Sequence, residues 1–281
     1  MGRLRRSFEL NLDKSIVDLD FCKIFPLNVT IILFRQNNAI FTENIMRPIA
    51  RWTIGKTNPD GYECLKMSIE SFLRFYNAEV VICHNAPVES LPVDLQKFRL
   101  IDQSLHLDTG PQPKGVAWKL YPPRIDINCH EICIDNDIVF NTEIKEINEF
   151  FKLKCTLMLE DNSRTYGRFE KHVPPGFKIN SGIYGMPPGF DLGSFVRFYS
   201  GENWEKNAFY QHDKSETFDE QGIVALALLS HSDYLIIPNK TVANCEHVFT
   251  EAKGNHFIGL NRRNFHGPFR LYRSLSQKLQ M

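Results

Sequence analysis

The sequence lacks a charge imbalance. Its 281 residues carry 33 lysines and arginines against 33 aspartates and glutamates, for a formal net charge of zero. Bulk binding to nucleic acid leaves a basic footprint, so that class is excluded as the main function, although a local basic patch is not. No CxxC pair occurs. The seven cysteines (Cys22, Cys64, Cys83, Cys129, Cys133, Cys155 and Cys245) are odd in number and sit mostly in apolar runs. They read as reduced core residues of a cytoplasmic protein rather than as a disulfide frame or a zinc site. There is no long hydrophobic run either. The most apolar early stretch, Val29 to Phe34, is far too short to cross a bilayer. With no secretory signal, the glycosylation-like triplets at Asn28 and Asn239 read as chance. Internal repeats and low-complexity linkers are also missing.

What is present is enough apolar material for a large core, 43% hydrophobic and 12% aromatic. IARWTIG (49–55) reads as a strand and 56–60 as a loop. Asp60 with Glu63 resembles a capping box that opens a helix running to about Tyr76. Leu65, Ile69, Phe72 and Leu73 share one face of that helix. EVVIC (79–83) is a second short, β-branched strand. A strand, a helix and a strand in this order make a βαβ unit, which implies a parallel sheet with helices on its faces. HEICIDNDIVF (130–140) reads as one central strand buried on both faces. A helix is expected over 142–151, a strand over 155–160, a loop after it, a helix from about Leu192, a helix over 222–230 and a strand over 233–238. The fold class is therefore α/β, a single domain with a mostly parallel central sheet and helices on both faces. The expected organisation is an N-terminal extension (1–46), the main α/β domain (47–268) and a short basic tail (269–281).

Asp135 and Asp137 interrupt the most apolar strand. Ionised carboxylates are costly in apolar surroundings unless something compensates. Two hard oxygens one residue apart at a strand's carboxyl end suit a divalent cation and leave positions open for phosphate oxygens. Ligands of open α/β sheets sit at those strand ends. The plain alternative is a strand that ends in a solvated turn.

Five stretches in order resemble the nucleotide-sugar-dependent glycosyltransferases of the A-type (GT-A) fold, and within them the glycogenin and lipopolysaccharide galactosyltransferase-like families. They are Ala117-Trp-Lys119-Leu-Tyr-Pro-Pro-Arg124, Asp135-Asn136-Asp137, Asn180-Ser181-Gly182, Phe218-Asp219-Glu220-Gln221-Gly222 and His256-Phe-Ile-Gly259-Leu-Asn-Arg262. The resemblance implies Mn²⁺ or Mg²⁺ held by Asp135, Asp137 and His256. It implies a donor set of Trp52, Lys119, Arg124, Asn136, Asn180, Gly259 and Arg262, with the Asn180-Ser181-Gly182 segment as a turn. It puts Asp219, Glu220 or Gln221 near the anomeric carbon; Asp191 is a further candidate base if the chemistry inverts. Four positions depart from the family pattern: Glu220 stands where Asp is usual, Arg262 where Lys is usual, and Arg263-Asn264 where Pro-Trp is usual.

The implied partners are a nucleotide-sugar donor, with a UDP-sugar favoured, and a glycan or glycolipid acceptor. The tail (Arg262, Arg263, Phe269, Arg270, Tyr272, Arg273, Lys278) is either a peripheral membrane contact or a solvated helix packed on its own domain. The expected location is the cytoplasm, with membrane association only under the first of those two readings of the tail. Three rival readings stand beside this one. Asp135-Asn-Asp137-Ile-Val139 also fits the nucleophile motif of haloacid-dehalogenase-type phosphatases, although no later GDxxxD-like motif follows. A nucleotidyltransferase would need an early Gly-rich loop, where residues 49–61 offer only Gly55 and Gly61. A non-catalytic binding homologue would bind donor without turnover.

Overall fold

The computed structural model describes residues 47–106, 115–200, 218–244 and 251–257. All belong to residues 45–281, one of the two units into which the chain divides. The expectations for residues 1–46, for Cys22 and Cys245, for Gly259 and Arg262, and for the tail lie outside the described residues.

The elements follow in the order β1 (Ile49–Ile54), α1 (Pro59–Leu73), β2 (Glu79–His84), β3 (Arg99–Asp102), β4 (Glu131–Ile134), β5 (Ile138–Phe140), α2 (Lys145–Phe150), β6 (Thr156–Glu160), β7 (Ile179–Met186), α3 (Leu192–Ser200), α4 (Asp219–Leu229), β8 (Tyr234–Ile237), β9 (Val242–Asn244) and β10 (Gly254–His256). Seven strands form one sheet in the order β3-β2-β1-β4-β7-β6-β8, and β5-β10-β9 form a small second sheet. In the large sheet only β7 runs against its neighbours. The expected mixed α/β domain with a mostly parallel sheet is thus what the chain adopts.

Alternation along the strands assigns the helices to faces. Ala50, Trp52, Ile132 and Ile134 point to one side and pack with Leu65, Ile69 and Phe72 of α1 and with Ile147 and Phe150 of α2. Cys133, Met158 and Tyr184 point to the other and pack with α3 and α4. The five described cysteines are free and buried. Among the described residues no helix is long and apolar enough to cross a membrane.

Four details differ from the sequence reading. Asn58, not Asp60, caps α1: its side chain accepts from the Gly61 N–H at 2.9 Å, and Pro59 takes the first helical turn, where its missing N–H costs nothing. The 130–140 strand is two strands in different sheets. The β4–β7 pairing ends as the Asp135 N–H donates to the Gly182 carbonyl at 2.8 Å, and the Ile138 N–H closes a turn onto the Asp135 carbonyl at 3.2 Å. The Asn180-Ser181-Gly182 segment is not a turn but part of β7, beside a register shift in its pairing with β6. Finally, α4 opens at Asp219 and so carries the Asp-Glu-Gln stretch in its first turn.

Candidate active site

Each side chain of the site arrives on its own element. Asp135 and Asp137 flank the turn after β4. His256 comes from β10, which pairs with β5 so that His256 lies opposite Ile138, and the Phe257 N–H donates to the Asp137 carbonyl at 2.9 Å. Those pairings carry the imidazole to the carboxylates: His256 Nε2 is 3.3 Å from Asp137 Oδ1 and 3.6 Å from Asp135 Oδ2. The ring fits because residue 182 is glycine. A Cβ there would lie 2.6 Å from His256 Cε1. Lys119, at the end of a 3-10 turn over Gly115–Leu120, places Nζ 2.7 Å from Asp135 Oδ1 and 3.7 Å from Glu220 Oε1. Ser181 of β7 donates its hydroxyl to Glu220 Oε1 at 2.7 Å. Asp135, Asp137, His256, Lys119 and Glu220 therefore form one connected cluster.

Burial and charge set the acidities. Burial alone would raise Asp135, but Lys119 and His256 outweigh it and bring its pKa down to about 2. Burial would lower His256, but Asp137 and Asp135 outweigh it and push its pKa up to about 9. Lys119 is raised in the same way, Asp135 and Glu220 overcoming its desolvation. Glu220 is the exception: burial raises it, and Lys119 only partly offsets that.

The cluster fits a divalent cation. One ligand atom from each of Asp135, Asp137 and His256 lies within 4.8 Å of the others. Asp137 Oδ1 is buried, and in the resting site its only close charge partner among the described residues is His256 Nε2 at 3.3 Å, a contact that a cation could replace. Beside this cluster a cleft of about 540 Å³ opens at the carboxyl ends of β1 and β2, lined among others by Thr53, Gly55, Thr57, Asn85, Trp118 and Asn136. That volume suits a small-molecule ligand.

Other candidates sit elsewhere. Trp52 is fully buried in the core and donates its indole N–H to Ser68 Oγ at 2.9 Å; strand alternation turns it toward α1 and away from the cleft. Arg124 pairs with Glu131 at 3.4 Å, at the opposite end of β4 from Asp135, and donates to the Asp126, Cys129 and Pro187 carbonyls. Asp219 is turned to Arg168, accepting from its backbone N–H at 2.8 Å and from Nε at 2.9 Å. Gln221 and Asn180 adjoin the site but spend their amides on structure. Gln221 accepts from the Ser181 N–H and donates to Thr165, while Asn180 donates to Asp161 and accepts from the Gly182 N–H. Asp191 caps α3 through the Ser194 N–H at 3.1 Å. Sequence reasoning missed the part played by Ser181 and by the buried Arg51–Glu131 pair. A lone arginine inside the apolar strand IARWTI was the available signal, since a buried charge demands a partner.

The structure thus has an open, mostly parallel sheet with a carboxylate–carboxylate–imidazole cluster at its strand ends, beside a cleft. No protein-family model matches the sequence, and no curated protein matches it. Among solved structures, the chain is similar to mouse xyloside xylosyltransferase 1 at 12% identity, over 77% of this chain and 98% of that one, with a TM-score of 0.48. It is similar to the glycosyltransferase GlyE of Streptococcus pneumoniae TIGR4 at 11% identity, over 77% of this chain and 56% of that one, with a TM-score of 0.49. It is also similar to the galactosyltransferase LgtC, solved in complex with donor and acceptor sugar analogues, at 10% identity, over 82% and 95% of the two chains, with a TM-score of 0.47.

Proposed function

We propose that this chain is a metal-dependent glycosyltransferase that moves a sugar from a nucleotide diphosphate donor to an acceptor hydroxyl on a glycan or glycolipid. The observation that carries the reading is the convergence of Asp135, Asp137 and His256, one ligand atom from each within 4.8 Å of the others, at the edge of the 540 Å³ cleft. The donor set of two carboxylates and one imidazole suits Mn²⁺ or Mg²⁺. A bound ion there would neutralise charge on the leaving diphosphate. UDP is the nucleotide the motif resemblance favours.

The chain's own residues divide the remaining work. Lys119 keeps its charge beside Asp135 and lines the cleft, where it would add fixed positive potential as negative charge develops on a leaving diphosphate. Of the Asp219-Glu220-Gln221 stretch, Glu220 is the residue whose carboxylate adjoins the cluster, 3.7 Å from Lys119 Nζ, and it is the one we assign to the sugar. It is buried, and its Oε2 makes no hydrogen bond, so it can stabilise positive charge growing at the anomeric carbon. Gln221 and Asn180 hold β7, α4 and the 161–165 segment together around it.

The test is donor hydrolysis by the purified protein over a panel of UDP-, GDP- and dTDP-sugars, with Mn²⁺ and with EDTA, repeated with Asp137→Ala. Metal-dependent release from one donor, lost in the variant, is expected. Normal metal-dependent turnover by Asp137→Ala, or no binding of any donor, would refute the reading.

A further inference from the structure

Arg51 lies in the middle of β1, 1% exposed, and its partner Glu131 at the start of β4 is fully buried. Arg51 Nη1 is 3.0 Å from Glu131 Oε1. Arg124 approaches the other oxygen at 3.4 Å, and the Ile125 N–H donates to it at 2.8 Å. Buried ion pairs are weak contributors to stability, and apolar replacements often do as well. The use of this one lies in what the rest of the guanidinium does. Nη1 donates to the Pro122 carbonyl at 2.6 Å, and Nη2 donates to the Lys119 carbonyl and to the Tyr184 hydroxyl, each at 3.1 Å. The Tyr184 hydroxyl in turn donates to the Lys119 carbonyl at 3.4 Å. Gln103 holds the same segment through the Trp118 carbonyl at 2.6 Å and the Tyr121 carbonyl. A planar fork with fixed donors can hold two carbonyls and a carboxylate at once; an ammonium on a flexible stem cannot hold them in fixed geometry.

We propose that Arg51 is a positioning residue for the transfer reaction. Anchored by Glu131 and assisted by Tyr184, it fixes the backbone of Lys119 and thereby the place of Lys119 Nζ between Asp135 and Glu220. This role rests on the glycosyltransferase reading above, because it gives Lys119 its task. It predicts effects of opposite sign on two ligands. In the resting site Lys119 Nζ occupies the Asp135 carboxylate, so a metal must displace it. Loosening Lys119 helps the metal alone and harms the diphosphate that Lys119 should meet.

The experiment is a double-mutant cycle between Arg51→Lys and Lys119→Ala. It is read by calorimetric binding of Mn²⁺ alone, and then of UDP at saturating Mn²⁺. In the native background Arg51→Lys should tighten Mn²⁺ about threefold and weaken UDP about tenfold, within the range of coupling seen for residues in one network. In the Lys119→Ala background it should change each by less than about twofold. General damage to the fold would weaken both ligands in both backgrounds, and that outcome, or no change in the native background, overturns the proposal. If Arg51→Lys does not fold, Tyr184→Phe removes only the bridging hydroxyl and carries the same cycle, with smaller effects of the same signs; additivity there also overturns the role. A native protein that binds neither Mn²⁺ nor any nucleotide overturns the glycosyltransferase reading, and the role of Arg51 with it. A native protein that binds both, without coupling, overturns only the role of Arg51.

Discussion

Metal uptake should release a proton, and the proton should come from His256. Asp137 at 3.3 Å and Asp135 at 3.6 Å push the imidazole's pKa up to about 9 against the opposing effect of its burial. At pH 7 the ring is therefore an imidazolium, yet only the neutral ring offers nitrogen to a cation. Binding must expel the proton. Apparent Mn²⁺ affinity should then rise about tenfold per pH unit from neutrality and level off near pH 9, a gain of about a hundredfold, or ~2.7 kcal/mol, across the two units. Lys119 is displaced from Asp135 without losing its charge, so it adds nothing to the proton count. Titration calorimetry at pH 7 in two buffers of different ionisation heat should give about one proton released per ion, falling to near zero at pH 10. His256→Gln should bind more weakly and lose the pH dependence. An affinity flat from pH 7 to 9, or no proton release at pH 7, would refute the assignment of His256 as a ligand.

Further outcomes follow from single contacts. Gly182→Ala puts a Cβ 2.6 Å from His256 Cε1 and 2.7 Å from Asn180 Oδ1. It should cost about 1–3 kcal/mol in urea unfolding and weaken Mn²⁺ binding together; unchanged metal affinity would mean that His256 is not held by this fit. Trp52→Phe removes the bond to Ser68 and opens a small gap beside Phe72, which Trp52 meets edge-on at 5.6 Å. Stability should fall by about 1–3 kcal/mol, with donor KM nearly unchanged; the reverse pattern would put Trp52 in the donor site. Asp219→Asn should weaken the contact with Arg168, cost about 1–3 kcal/mol and spare turnover per folded molecule. Glu220→Gln should leave the unfolding midpoint close to native and cut kcat by about a hundredfold or more. An exchange of those two phenotypes would exchange the two roles.

The first βαβ unit was legible because its physics is local. Leu65, Ile69 and Phe72 recur at helical spacing and are all fully buried, and β1 and β2 are the β-branched runs on either side. What failed was anything decided by pairing. The run from 130 to 140 is apolar on both sides of Asp135-Asn136-Asp137, and nothing in composition says that its two halves pair in different sheets. β3, at the sheet edge, has only Leu100 and Ile101 apolar between Arg99 and Asp102, too short a run to announce a strand. The capping error has a simple cause. Asp60 with Glu63 is a good capping pattern, but Pro59 at the first turn is the stronger constraint, and it moves the cap to Asn58. At the site, the grouping of Asp135, Asp137 and His256 was legible from the motif resemblance, but which of Asp219, Glu220 and Gln221 adjoins that group was not. Successive residues on a helix point about 100° apart, so neighbours in sequence meet different partners: Arg168 for Asp219, Lys119 and Ser181 for Glu220, Thr165 for Gln221.

The charge balance of the cluster explains why such a site is tolerable in the resting protein and responsive to its ligands. Three carboxylates, from Asp135, Asp137 and Glu220, face two cations, Lys119 and protonated His256. Each carboxylate of the metal trio lies within 3.6 Å of a cationic nitrogen, which offsets much of the cost of taking it out of water. Replacing one proton by a dication adds one positive charge to the cluster. That surplus, with Lys119 released from Asp135, is what a diphosphate would meet. A neutral ligand at position 256 would forgo the exchange: the resting carboxylates would have to draw protons or Lys119 closer, and the site would gain more charge on metal binding but rest less stably without it. His256→Asn should therefore destabilise the metal-free protein near pH 7 while removing the proton release, and Mn²⁺ should raise its unfolding midpoint less than it raises that of the native chain at pH 9. If the variant is as stable as native without metal, His256 does not compensate the two aspartates, and Lys119 alone must balance the resting site.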